Sequence, residues 1–246
     1  MPELWVERLA AEFWEAAGGI EPFPRSLESS VMWALPVAIV KVPRLSVSTA
    51  QKWLARRNMP LDLNAGDRHL HACLVAFGGK GVILLDGRDA ADEMRFSLAH
   101  ETAHFIVDYL NPRKTAEERF GTRILEVLEG RRIATPDERG AAVLSSTSIG
   151  VYQHLMTRSA RGEIASSRVA RAEREADQLA LELLAPEEVV RGVLKESGKS
   201  CPASRTEMVN CLKKYFGLPN FAAIRYSFRF AGAEKPQSIR DWLGIA

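Results

Sequence analysis

His100, Glu101 and His104 stand within "FSLAHETAHFIVD", residues 96 to 108, whose other side chains are mostly those of a buried helix. Each residue of an α-helix advances about 100°, so two imidazoles four apart lie within roughly 40° of each other, one turn apart on one face. That spacing lets both grip one ion. Glu101 lies about 100° round from His100, close enough to reach a water beside the ion without being forced to bind it. This division of labour serves metal-assisted peptide hydrolysis. Two neutral imidazoles hold Zn²⁺, a water on the ion becomes acidic near pH 7, and the carboxylate accepts its proton. Mn²⁺ is the expected substitute in vitro. The plainer account is a pair of core histidines satisfied by hydrogen bonds. Against it, Phe96, Ala103 and Val107 share the histidines' face, and polar groups buried there need partners that a metal supplies.

A catalytic zinc needs three protein ligands and a water. The metzincin pattern requires glycine at 107 and histidine at 110, where this chain has Val107 and Leu110. His154, in "VYQHLM", is one candidate for the third ligand, but its neighbours give no reason to prefer it. The helix "ARAEREADQLALELL" offers a better one. Its apolar stripe runs through Val169, Ala172, Ala176, Ala180 and Leu183. Glu173 falls about 60° from the stripe's centre, and Glu175 about 100° away on the other side. Glu173 therefore points to the core and Glu175 to the solvent margin. Asp177, four residues beyond Glu173, is placed to accept the remaining N–H of a ligating histidine. A surface helix with charges at its stripe edge is the alternative. Tyr152 and His154 are candidate donors to an oxyanion, and the sequence does not choose between them or a downstream tyrosine.

The elements that must position these residues follow from periodicity and punctuation. An amphipathic helix opens the chain and ends at Gly18-Gly19. "LPVAIVKV" reads as a buried strand, and Ser46 or Ser48 caps a helix through "TAQKWLARRN". "HLHACLVAF" and "GVILLD" flank Gly78-Gly79 as a hairpin. The motif helix runs from Asp92 to about Leu110, with Asn111-Pro112 as its stop. Further helices are expected from Thr115 to Gly130, from the capping box Thr135-Pro136-Asp137-Glu138, and over "SSRVARAEREADQLALELLAP". "IGVYQHLMTRSARGE" fits neither period cleanly.

The expected architecture is α+β: a small, partly antiparallel sheet packed on the zinc-bearing helices, with helical additions. It is read as a single domain in five parts. Residues 1–64 hold N-terminal helices and a strand, and 65–110 the sheet and motif helix. Residues 111–165 read as a helical insertion, 166–186 as the third-ligand helix, and 187–246 as a helical, helix-turn-helix-like end.

Composition bounds the rest. The 246 residues include 46% hydrophobic and 26% charged side chains, with a net charge of +2, which is no bulk signature of nucleic-acid binding. Cys73, Cys201 and Cys211 form an odd set with no CxxC spacing, which points to free thiols in a reducing compartment. The acidic N-terminal helix is not a signal peptide, and "VMWALPVAIV" is far short of the ~20 apolar residues a membrane span needs. A cytoplasmic protein without membrane contact is expected. "SVSTAQKWLARRNMP" and "FAAIRYSFRF" tempt a nucleic-acid reading, but each has a duller one. The first fits a surface helix with a basic outer face, and the second an amphipathic helix or a half-buried strand. Direct nucleic-acid binding is not expected.

"RFSLAHETAHFIVD" followed by "EREADQLALELLAP" resembles the two halves of the ImmA/IrrE metallo-endopeptidase pattern, in order. The resemblance implies zinc ligands His100, His104 and Glu173, general base Glu101, and Asp177 as the partner of a ligating histidine. It further implies cleavage of a helix-turn-helix transcriptional repressor, hence stress response or transcription regulation. The chain departs from the pattern in its 68 residues between His104 and Glu173, a longer separation than the family's, and in aspartate at 177 where asparagine is frequent. A non-catalytic regulator that binds a repressor or DNA, and a hydrolase of small peptides or amides, are the alternatives.

Overall fold

The computed structural model describes residues 3–59, 63, 66–139, 151–158, 167–196 and 205–230. Helix α1 (Leu4–Ala16) buries Val6, Leu9, Ala10, Phe13 and Trp14 along one stripe and ends before Gly18. Helix α2 (Glu28–Ala34) leads into strand β1 (Val37–Val42), so the apolar run that is too short for a membrane is half helix, half strand. Helix α3 (Val47–Ala55) is capped by Ser46, whose Oγ accepts the Thr49 N–H while Thr49 Oγ1 accepts the Ser46 N–H.

Strands β2 (Leu70–Phe77) and β3 (Lys80–Asp86) form the expected hairpin, and β4 (Tyr152–Thr157) lies beyond β2. The sheet order is β1-β3-β2-β4, with β1 parallel to β3 and the other pairs antiparallel. Side chains alternate between its faces. Ala72, Leu74, Ala76, Ile83 and Leu85 enter the main core, whereas Cys73, Val75 and Leu84 meet Val47, Ala50 and Leu54 of α3 in a second one. The apolar face of α3 is thus spent on the sheet. The architecture is mixed α+β, as its periodicity predicted.

Helix α4 (Ala91–His104) carries the histidine motif and is buried without interruption from Phe96 to His104, between the sheet and helix α7 (Ser167–Leu184). Its continuation departs from expectation. Asn111-Pro112 does not stop the helix: the chain widens into a π-helical segment (Phe105–Leu110) and runs on as α5 (Asn111–Phe120). The Asn111 N–H reaches back five residues to Ile106 O, and the next residue, Pro112, has no N–H to place. A wide turn at that point relieves the clash a proline ring makes with the preceding turn of a regular helix. Helix α5 then breaks at Gly121, φ +73°, so the helix expected from Thr115 to Gly130 is two, the second being α6 (Ile124–Leu128).

The segment 111–165 is also not wholly helical, because it supplies β4. An edge strand half covered on both faces shows no period-two alternation, which is why "VYQHLM" read as neither helix nor strand. The Thr135 capping box is present, with Glu138 Oε2 accepting the Thr135 N–H at 2.8 Å and Thr135 Oγ1 accepting the Glu138 N–H at 3.3 Å. Residues 140–150 beyond it lie outside the described residues, as does Cys201.

Helices α8 (Glu187–Glu196), α9 (Arg205–Phe216) and α10 (Asn220–Ser227) complete the described chain. "FAAIRYSFRF" resolves to helix, with Ala222, Ala223 and Tyr226 buried. Among the contacts that hold the α9–α10 pair to the core, Arg95 of α4 donates to Gly217 O at 2.8 Å, and Tyr226 OH donates to Ala185 O at 2.9 Å. No helix among the described residues is long and apolar enough to cross a membrane.

Candidate active site

Helix α4 presents His100, Glu101 and His104, α7 presents Glu173 and Asp177, and β4 presents Tyr152 and His154. In the β2–β4 register Tyr152, His154 and Met156 oppose Ala76, Leu74 and Ala72, so all three project to the α4 side of the sheet. His100, His104, His154 and Glu173 converge, each offering an atom within 4.8 Å of the others.

The backs of the two motif imidazoles are held by carboxylates. His100 Nδ1 lies 3.1 Å from Asp177 Oδ1, and His104 Nδ1 lies 2.6 Å from Asp108 Oδ2. A carboxylate only accepts, so in the neutral form of each imidazole the proton sits on Nδ1 and Nε2 presents its lone pair inward. Those two Nε2 atoms are 3.1 Å apart. Glu173 approaches from across the cleft, 3.4 Å from His100 Nε2 and 3.7 Å from His104 Nε2. A tetrahedral ion with bonds of about 2.0–2.1 Å sets its ligand atoms roughly 3.3 Å apart, so this trio has the spacing and the donor chemistry for a divalent metal.

The electrostatics agree. Burial lowers the pKa of His100, but Asp177 and Glu173 overbalance it and hold the group at about 9. Burial, with His154 nearby, lowers that of His104. Burial pushes Glu173 up, yet His100 and His154 outweigh it and keep the carboxyl well below the usual range. Asp177 is likewise raised by burial and drawn below its ordinary value by His100 and Arg225. The pocket thus wants positive charge, and metal binding supplies it while releasing a proton.

The expected site residues His100, Glu101, His104 and Glu173 are brought together, with Asp177 behind His100. Glu175 instead pairs with Arg171 outside the cluster, although its side chain is 30% exposed against 37% for Glu173, so the two differ in what they face and not in burial as the wheel implied. Val169 departs from the reading, being 42% exposed, because the buried stripe begins only at Ala176. Glu101 is fully buried, and both of its oxygens lie 2.9 Å from His154 Nδ1. His154 Nε2 lies 2.8 Å from Glu173 Oε1. Burial lowers the pKa of His154, but Glu101 and Glu173 raise it to about 10.

Tyr152 is not placed as an oxyanion donor. Its hydroxyl lies 3.2 Å from Asp108 and 3.3 Å from His104 Nδ1, on the ring edge away from the cluster. Burial and the nearby Asp108 and Glu101 push its pKa up, so it keeps its proton and donates to Asp108. Asp108 itself was missed in the sequence, although its place four residues after His104 was an available signal. A second group, His71, Asp89 and Glu93, also meets a ligand spacing, but Asp89 is already paired on both oxygens by His71 and Arg158.

Residues 56–142 match the model of the IrrE N-terminal-like domain of the Peptidase M78 family. The matched segment includes β2, β3 and the whole histidine motif, and ends before β4 and α7. Comparison with curated proteins and with solved structures gave no match. Residues 56–142 are thus similar to an IrrE N-terminal-like domain, and that match supports a metallopeptidase of the ImmA/IrrE type.

Proposed function

We propose that the protein is a zinc-dependent endopeptidase, its ion held by His100, His104 and Glu173. One observation carries this reading. Two imidazole Nε2 atoms face each other at 3.1 Å with a carboxylate across from them, while both Nδ1 atoms are tied to carboxylates behind. Two imidazoles and a carboxylate form the donor set of catalytic zinc sites that leave a fourth position for water or substrate. Bound there, Zn²⁺ supplies a Lewis acid that draws charge from a substrate carbonyl and acidifies a neighbouring water.

The side chains do the rest. Glu101, buried and one residue from the first ligand, accepts the water's proton and returns it to the leaving amine. His154 faces Glu101 through Nδ1 and Glu173 through Nε2, and is the candidate to turn one N–H from its carboxylate to the charge that develops on a substrate carbonyl oxygen. Its stacking on His104, with ring centroids 3.9 Å apart and planes 28° apart, argues against His154 as a ligand. Lone pairs of two near-parallel rings do not converge on one centre. Asp177 and Asp108 fix the orientation of His100 and His104 and keep their Nε2 atoms free to bind.

The substrate is proposed to be a cytoplasmic regulatory protein, with a helix-turn-helix repressor as the first choice on the family resemblance. Incubating the zinc-loaded protein with a panel of such repressors and with unrelated unfolded proteins tests the reading. Cleavage of one repressor, lost in Glu101→Gln and on chelation, is the expected result. Equal cutting by the Glu101→Gln protein would remove the catalytic assignment, and rapid digestion of every unfolded protein would remove the narrow substrate.

A further inference from the structure

Asp177 divides its two oxygens. Oδ1 meets His100 Nδ1 at 3.1 Å, and Oδ2 meets Arg225 Nη2 at 2.6 Å. Arg225 belongs to α10, in the C-terminal helix pair, and lies 48 residues from Asp177 and well past the segment that matches the peptidase family. An unbroken polar path therefore runs from an exposed guanidinium on α10 through α7 to the imidazole whose Nε2 faces the cation position. The apolar contacts run the same way: Phe221 of α10 meets Phe96 of α4 edge to face, and Phe96 stacks on His100.

We propose that Arg225 is a positioning residue for the metal, holding Asp177 in the one rotamer that fixes the His100 ring, so that the C-terminal helix pair sets how tightly the ion is bound. The proposal rests on His100 being a metal ligand. Two effects of Arg225 oppose each other. Its charge repels a cation, and its hydrogen bond orients the carboxylate that orients the ligand. The side chain of Arg225 is 63% exposed while that of Asp177 is 15% exposed. Solvent thus screens the repulsion over the distance to the ion, whereas the hydrogen bond acts directly on a largely buried carboxylate. Orientation is the larger effect. Its exposure also means that trimming Arg225 leaves the core intact.

The test is competition of the full-length protein with a chromophoric chelator for Zn²⁺, which reads metal affinity without any substrate. Arg225→Ala is expected to bind Zn²⁺ about tenfold more weakly than the parent, at the lower end of the effect of removing a ligand's supporting partner. Arg225→Lys should recover most of that loss. In an Asp177→Asn background, Arg225→Ala should change affinity less than about twofold, because the effect passes through the carboxylate. Arg205→Ala, which removes the guanidinium over Phe228 at the same end of the molecule, serves as a control for general loosening and should match the parent. Parent-like affinity in Arg225→Ala, an undiminished effect in the Asp177→Asn background, or an equal loss in Arg205→Ala would each overturn the proposal. A parent protein that takes up no Zn²⁺, like its His100→Ala variant, would instead overturn the metal reading, and this inference with it.

Discussion

His154 Nδ1 lies 2.9 Å from each carboxylate oxygen of Glu101. This joins a residue of the sheet's outermost strand to the buried acid of the motif helix, 53 positions earlier in the chain. If His154 is a donor to the reacting oxygen and not a ligand, His154→Gln should retain its zinc while the cleavage rate falls about 10²–10³-fold. Metal content and turnover measured on the same preparation check this. Loss of the ion together with activity would make His154 a ligand after all.

Asp108 holds His104 from within the same run of helix. Asp108→Asn keeps the shape but replaces an anionic acceptor with a weaker neutral one, so zinc affinity should fall about 10–100-fold. Tyr152→Phe, which removes only a donor to Asp108, should have a smaller effect. Chelator competition ranks the two, and the reverse order would contradict the arrangement described for His104.

Gly81 of β3 lies beneath the π-helical segment. A Cβ there would sit 2.8 Å from Cε2 of the fully buried Phe105 ring, with Val37 on its other side at 3.3 Å. Gly81→Ala should therefore cost about 1–3 kcal/mol, as overpacking does. In a chain of this size that lowers Tm by roughly 2–12 °C. Thermal melting followed by circular dichroism reads it, and an unchanged Tm would show that the segment yields.

Arg158, at the end of β4, pairs with both Asp86 and Asp89. Burial raises the pKa of Asp86, but hydrogen bonds from Arg88 and Arg158 outweigh it, and the group ends below its ordinary value. A carboxyl with a depressed folded-state pKa contributes stability that is present above its unfolded value of about 3.9 and is lost as pH falls through the folded value. In Arg158→Ala, Asp86 loses a partner and its folded pKa rises, so the acid unfolding limb should move to higher pH. Urea melts between pH 3 and pH 6, of the order of the carboxylate range, measure this. An unmoved acid limb would show that Arg88 and the backbone suffice.

Local spacing made much of the site legible before any tertiary contact was known. A four-residue interval on a helix brings His100 and His104 to one face whatever surrounds them, and the wheel set Glu173 on the edge that meets them and Glu175 on the other, though the two are similarly exposed. Glycine and serine marked the hairpin at Gly78-Gly79 and the start of α3, because left-handed backbone and unpaired N–H groups require particular residues. The proline rule misled at Asn111-Pro112, where a wider helical turn absorbs the missing donor.

The sequence by itself determined the motif helix, the helix that carries Glu173 and the hairpin that precedes them, since each depends on neighbours within a few residues. Only the tertiary structure decided that "VYQHLM" is a strand, that His154 stands between Glu101 and Glu173, and that Arg225 reaches Asp177. Those three facts depend on pairing and packing between segments far apart in the chain. No local periodicity encodes such contacts, because an edge strand half covered on both faces and a charged side chain on an exposed helix look the same in sequence whatever they touch.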